Sequence, residues 1–252
     1  MNINNFVLLA AGRGSRLFEL TSLTPKPLLP VCGVSALQRI IDKLILIKHR
    51  DIVVVTGYQH DKLHSFLTAK YGGEVNIVCN ELYDQDTNIL SVDMGVDALK
   101  RPDQGYTIIE TDIILEPAGW DKFFSLHERH SSAWATYGLY SRQLTGGAIK
   151  VDENSSVTKI VYAPKYQTAY KDWLKMLGIL KVGRSEVLVD RALRKKAITK
   201  SLNQYYLMPW LENVGLLPCG VIDLSGFLVM SYNDLDSYNR TNELFSMLKT
   251  KK

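Results

Sequence analysis

Up to residue 112 the chain alternates short apolar runs with stretches of helical spacing, and this alternation restricts the fold more than any other feature. Phe6-Val7-Leu8-Leu9 reads as a buried first strand. Leu37, Ile40, Ile41, Leu44 and Ile45 recur at helical spacing, so residues 37–47 form a helix with an apolar core face. Residues 51–56 are a second strand, ended by Gly57. A helix over 61–70 follows, stopped by Gly72-Gly73, and then a third strand over 75–79. A helix over 88–99 leads to a fourth strand within 105–111, which runs into Asp112. Strands separated by crossover helices pair in parallel. The expected architecture is therefore a doubly wound, mostly parallel sheet. Ligands on such sheets sit at the carboxyl ends of strands. The turn after the first strand and Asp112 both lie at such ends.

The second half is less regular. Strands are expected over 132–140, 147–151 and 157–161, the last two joined by a hairpin turn at Asp152-Glu153-Asn154-Ser155. A polar, aromatic-rich connection over 165–173 precedes a strand over 178–182. Helices are expected over 185–192 and 201–212, strands over 221–224 and 227–231, and an amphipathic helix over 234–248. With no internal repeat or low-complexity linker, residues 1–252 read as a single domain with halves at 1–115 and 116–252.

Bulk properties exclude several classes. The net charge of +4 is too modest to argue for nucleic acid. Cys32, Cys79 and Cys219 are widely spaced and odd in number, against both a zinc site and a disulfide framework. A reducing cytoplasm fits best. Residues 1–5 carry no basic or long apolar leader, and no apolar run reaches the ~20 residues of a membrane span. The five histidines, His49, His60, His64, His127 and His130, form no metal-type pattern with carboxylates.

The first strand ends in Leu9-Ala10-Ala11-Gly12-Arg13-Gly14-Ser15-Arg16, with Pro25-Lys26-Pro27-Leu28 downstream. Small residues admit close approach of a ligand, and successive N–H groups in such a turn converge on phosphate oxygens. Arg16 adds a rigid fork and Lys26 a mobile point charge. No Gly-Lys-Ser or Gly-Lys-Thr follows, which rules out a P-loop, and Leu17 stands where a dinucleotide fingerprint needs its third glycine.

The pattern Ala-Ala-Gly-x-Gly-Ser-Arg-Leu followed by Pro-Lys-Pro-Leu resembles the signature of nucleotidyltransferases that join a nucleoside triphosphate to a sugar phosphate or alcohol phosphate. The resemblance implies a three-layer α/β/α sandwich with a Rossmann-like, GT-A-like fold, with a nucleotide half at 1–115 and an acceptor half at 116–252. It implies nucleotide contacts at Leu9, Ala11, Gly12, Arg13, Gly14 and Ser15, catalytic charges at Arg16 and Lys26, and Mg²⁺ as cofactor on Asp112. The family's second metal ligand precedes the last helix. Asn233 falls there instead of an aspartate, with Asp234 as a neighbour that a one-residue shift would bring in, and with helix capping as the competing role for Asn233. Glu110 is expected on the face opposite Asp112, in a structural role.

The stretch from Asn80 to Val92 replaces the glycine-rich turn of sugar-nucleotide pyrophosphorylases with Thr87-Asn88 and Ser91. That resembles the segment of cytidylyltransferases acting on phosphocholine and aminoethylphosphonate. Asn88 and Ser91 are the expected base or ribose contacts, and Asp86 or Thr87 as a helix cap is the alternative. On the acceptor side, Lys150 and Lys159 are the candidate phosphate contacts. Tyr162, Tyr166, Tyr170 and Trp173 are the candidate cage for a quaternary ammonium, with packing as the competing role.

The reading is Mg²⁺-dependent transfer of CMP from CTP to a small phosphorylated acceptor. Partners are the triphosphate and the acceptor, without nucleic acid or a membrane span, and the oligomeric state, a homodimer included, stays open. The alternatives are a uridylyl- or guanylyltransferase acting on a sugar 1-phosphate, a glycosyltransferase for which Glu110-Thr111-Asp112 partly matches Asp-x-Asp, and an inactive nucleotide-binding regulator.

Overall fold

Side chains of the first strand alternate between two separate cores, which fixes the layering of the whole chain. In the computed structural model, which describes residues 4–127 and 131–249, β1 spans Asn4–Ala10. Phe6, Leu8 and Ala10 belong to one buried cluster, while Val7 belongs to another with Leu9 packed against it. After β1 come α1 (Phe18–Thr21), a short hairpin of β2 (Pro30–Val31) and β3 (Val34–Ser35), and α2 (Ala36–Leu44). The order continues with β4 (Arg50–Thr56), α3 (His60–Tyr71), β5 (Asn76–Cys79), α4 (Ile89–Asp97), β6 (Tyr106–Glu110), β7 (Ile113–Leu115) and α5 (Pro117–His127). The second half holds β8 (Ala133–Leu139), β9 (Gly146–Val151), β10 (Val157–Ala163), β11 (Leu174–Val182), α6 (Val187–Ile198), α7 (Met208–Glu212), β12 (Gly220–Asp223), β13 (Val229–Ser231) and α8 (Leu235–Lys249).

The nine-stranded sheet runs β10-β9-β11-β6-β1-β4-β5, with β8 on β11 and β12 on β8. The strands β6, β1, β4 and β5 are parallel, as the alternation predicts. From β11 outward the pairing is antiparallel, apart from β12 on β8. Helices α2, α3 and α5 contribute Ile40, Leu67 and Trp120 to the core on one face. Helices α4, α6 and α7 contribute Val92, Val187 and Trp210 to the other. The three-layer sandwich is thus borne out.

The chain leaves β1 toward β4 on one side and reaches β6 on the other. This reversal opens a crevice at the carboxyl ends of β1 and β6, where an open α/β sheet takes its ligand. Thr111 closes the base of the crevice by donating its hydroxyl to the Leu9 carbonyl at 2.7 Å.

Several expectations are corrected. The strand expected at 178 begins at Leu174, and the helix expected over 201–212 is confined to Met208–Glu212. Helix α5 was not read from the sequence, although Pro117 begins it, at a position where no N–H is needed. Among the described residues no helix is long and apolar enough to cross a membrane, and no group of three His, Cys, Asp or Glu side chains could hold a metal. Met1, Asn2, Ile3 and His130 lie outside the described residues.

Candidate active site

The glycine turn is shaped by Gly14. Its φ of 66° is left-handed, and a Cβ there would stand 3.1 Å from both the Lys26 Cβ and the Thr21 Cγ2. Glycine therefore serves twice, allowing the turn and letting the loop fold back onto Lys26. Ser15–Leu17 continues as a single 3-10 turn, with the Leu17 N–H donating to the Gly14 carbonyl at 2.8 Å. Lys26 begins a second 3-10 turn, flanked by Pro25 and Pro27. Their ring-fixed φ angles hold its backbone in one conformation.

The Lys26 ammonium donates to Asp112 Oδ2 at 2.8 Å and to Asn233 Oδ1 at 2.9 Å. Three residues separated by 86 and 207 positions thus meet at one point, under the face of Tyr232 at 5.7 Å. Asp234 lies elsewhere: its Oδ1 accepts from the Ser237 N–H at 2.9 Å and the Ser237 hydroxyl at 2.7 Å, capping α8. Those bonds hold the Asp234 carboxyl below its usual range. Asn233 thus faces Asp112 through the Lys26 ammonium, and the capping of α8 falls to Asp234.

Two cavities meet at this point. The first, of about 270 Å³, is lined by Leu9, Ala11, Gly12, Gly14, Ser15, Arg16, Lys26, Asn88, Ser91, Asp112 and Asn233, so most of the expected nucleotide contacts share one wall. The second, of about 750 Å³, takes aromatic walls from Trp134, Tyr137, Tyr162, Tyr205 and Tyr206. Its charges are of both signs, with Arg16, Lys175 and Arg240 against Asp112, Asp234 and Asp236. Arg16, Glu110, Asp112, Tyr205 and Asn233 line both.

Other expected residues lie differently. Arg13 does not line either cavity; its guanidinium stacks on Phe18 at 5.9 Å and Tyr58 at 5.5 Å. Lys150 is exposed on β9, paired with Lys159 of β10, and lines neither cavity, so strand pairing rather than the crevice determines its position. The four aromatics do not converge on one cage. Tyr162 packs on Tyr205 at 4.8 Å beside the second cavity, whereas Tyr166 stacks on Tyr140 at 5.7 Å within a separate cluster shared with Tyr170 and Trp173. Packing wins there because the buried Tyr140 gives these rings an apolar anchor.

The loop after β5 also divides its labour. Asp86 Oδ2 accepts from the Ser91 hydroxyl at 2.7 Å, the Ser91 N–H at 2.8 Å and Asn80 Nδ2 at 2.9 Å. Asp86 is the helix cap, and the Ser91 hydroxyl hydrogen is already committed to it. Asn88 Oδ1 accepts from the Tyr206 N–H at 2.8 Å, while its amide nitrogen has no partner among the described residues.

Glu110, expected on the face opposite Asp112, lines both cavities beside it, and Lys175 was missed. Residues i and i+2 of an extended chain face the same side, so Glu110 shares the cavity edge with Asp112 and not the opposite face. Gly178 of β11 makes room for it, since a Cβ there would fall 2.4 Å from Glu110 Oε2. Burial first, then the Asp112 charge, raises the Glu110 carboxyl to about 7. Lys175 donates to the Met176 carbonyl at 2.6 Å and lies 5.7 Å from the Tyr137 ring, and burial lowers it to about 8. A lone lysine in the run Leu174-Lys175-Met176-Leu177 was the available signal.

A family model described as nucleotidyl transferase matches residues 5–196. The CMP-5'-(3-aminopropyl)phosphonate synthase of Streptomyces rubellomurinus is 29% identical over 191 residues, which cover 75% of this chain and 29% of that protein. The 2-aminoethylphosphonate cytidylyltransferase of Lancefieldella rimae is 36% identical over 112 residues, 44% of each chain. The chain spans less than half the length of these curated relatives. The solved CTP:phosphocholine cytidylyltransferase of Streptococcus pneumoniae superposes with a TM-score of 0.78 over 97% of this chain and 100% of that one, at 21% identity, a likeness of fold.

Proposed function

Since the chain belongs to the nucleotidyl transferase family, we propose that it transfers CMP from CTP to a small phosphate or phosphonate acceptor bearing an amine, with release of pyrophosphate. The observation that carries this reading is the meeting of two cavities at Asp112 and Asn233, whose oxygens bind the Lys26 ammonium, so that a nucleotide in one and an acceptor in the other react at their junction. The relatives that make CMP-aminopropylphosphonate or cytidylylate aminoethylphosphonate support both the nucleotide and the amine. The aromatic walls of the larger cavity, with Asp234 and Asp236 among its lining carboxylates, suit a small organic cation.

The acceptor oxygen attacks the α-phosphorus in line. The new P–O bond forms as the bond to the β-phosphate oxygen breaks, and pyrophosphate leaves with that electron pair. No protein nucleophile is required, because such transfer rests on positioning and charge stabilisation. The N–H groups of the Gly12–Ser15 turn hold the triphosphate. Arg16 and Lys26 neutralise charge on the α-phosphate and the leaving group. The Asn88 amide nitrogen is free to donate to an acceptor atom of the base. Asp112 Oδ2 and Asn233 Oδ1 already converge on one ammonium, and this pair of hard oxygens would hold Mg²⁺. Bound there, the ion would neutralise charge on phosphate oxygens.

The test is pyrophosphate release with CTP, UTP, GTP and ATP against phosphocholine, phosphoethanolamine, aminoalkylphosphonates and sugar 1-phosphates. Release confined to CTP with an amine-bearing acceptor is expected. Release with UTP and a sugar phosphate would keep the family and reject the cytidine reading.

A further inference from the structure

We propose that Lys26 is the resident cation of the Asp112–Asn233 pair in the nucleotide-free protein, so that a divalent ion enters this site only together with a triphosphate. The inference rests on the proposed nucleotide transfer and adds how the site is loaded. Its first support is geometric. A single Nζ reaches both oxygens, at 2.8 and 2.9 Å, so the ammonium stands between the two oxygens that would hold the ion. Its second is charge. Asn233 brings an oxygen without a charge, and Asp234 is spent on capping α8 through Ser237, so the pair carries one negative charge that one lysine cancels. The lysine is also held in place. Prolines flank it in the chain, the Tyr232 hydroxyl donates to its carbonyl at 3.3 Å, and the Tyr232 ring lies 5.7 Å from its ammonium.

A bare divalent ion at Asp112 would have to displace this ammonium and then remain a few ångströms from it. Like charges at that range, half-screened from water, repel strongly. A triphosphate removes the obstacle: its negative charges accept both cations, and the ammonium turns from the oxygen pair to phosphate oxygens. Asn233 is the residue that sets this order, because a carboxylate there would leave a net charge for free metal to use.

Mn²⁺, which shares the preference for octahedral oxygen ligands, is the probe. It is titrated into the nucleotide-free full chain while the electron paramagnetic resonance of the free ion is followed. The wild type should show no saturable site below the millimolar range. N233D and K26M should each tighten binding by about tenfold or more, from the charge each one changes, and D112N should abolish the gain in both backgrounds. Melting curves monitor folding, and the near-isosteric N233D keeps the test alive if K26M fails to fold. Wild-type Mn²⁺ affinity equal to that of the variants, or no gain in N233D, would overturn the inference. Pyrophosphate release by the wild type is measured alongside. Release with unchanged Mn²⁺ affinity across the variants removes only this inference, while the predicted Mn²⁺ pattern without release from any nucleotide removes only the transfer reading.

Discussion

Lys26 joins the glycine turn, the end of β6 and the start of α8 through one ammonium. We expect K26A to keep its melting profile near that of the wild type while turnover falls by about 10²–10³-fold, the usual cost of removing one charge-stabilising donor. Turnover within a factor of a few of the wild type would take Lys26 out of the mechanism. Lys26 and Asp112 were legible from the sequence because a loop motif and a strand end announce them. Lys175 was not, and Glu110 was placed on the wrong face although the two-residue period of an extended chain sets it beside Asp112; the room for it comes from Gly178 on another strand. Glu110 has a pH consequence. Its folded pKa of about 7 lies above the unfolded carboxylate range, so the folded state holds the proton more tightly. Its contribution is therefore fully present below about 4.5 and is lost as pH rises through about 7. Melting temperature against pH should fall across that window in the wild type and flatten in E110Q. An equal fall in both proteins would locate the effect elsewhere.

At the scale of elements, α4 couples the sheet to the smaller cavity. Asp86 receives the N–H groups of Leu90 and Ser91 at 3.0 and 2.8 Å, at the positive end of the helix dipole. D86A removes a charged cap and leaves Asn80 and Ser91 without their partner, so chemical denaturation should show a loss of about 2 kcal/mol or more. Further along, Gly95 lets the helix approach β1 and β4, since a Cβ there would fall 2.3 Å from Val7 Cγ1 and 2.8 Å from Val55 Cγ2. G95A should cost about 1–3 kcal/mol by overpacking. The parallel strands and α2, α3 and α4 were legible because each carries its own period. The segment before α7 was misread as helix because Tyr205, Tyr206 and Leu207 are apolar for another reason: they wall a cavity, and the backbone of Tyr206 is tied to Asn88.

The whole molecule is a sheet with two cores and a crevice at its topological reversal, and the larger cavity lies where the antiparallel half begins. The parallel half was predictable because local alternation dictates it. In the antiparallel half the β9–β10 hairpin was legible from its turn, but the other pairings are non-local and the walls of the larger cavity come from β8, β10, β11 and the segment before α7. On the proposed reading, CTP with Mg²⁺ at about 100 times its dissociation constant should raise the fold's stability by about 2.7 kcal/mol in a thermal or chemical melt. The central claim is that the two cavities hold the two partners of one transfer. Phosphorus NMR of the protein with CTP, Mg²⁺ and 2-aminoethylphosphonate tests it most directly. The account predicts that the phosphonate resonance is replaced by a pair of coupled resonances from a phosphonate–phosphate anhydride, with pyrophosphate appearing in equal amount. Pyrophosphate or inorganic phosphate accumulating while the phosphonate resonance stays unchanged, across every amine-bearing acceptor tried, would contradict it.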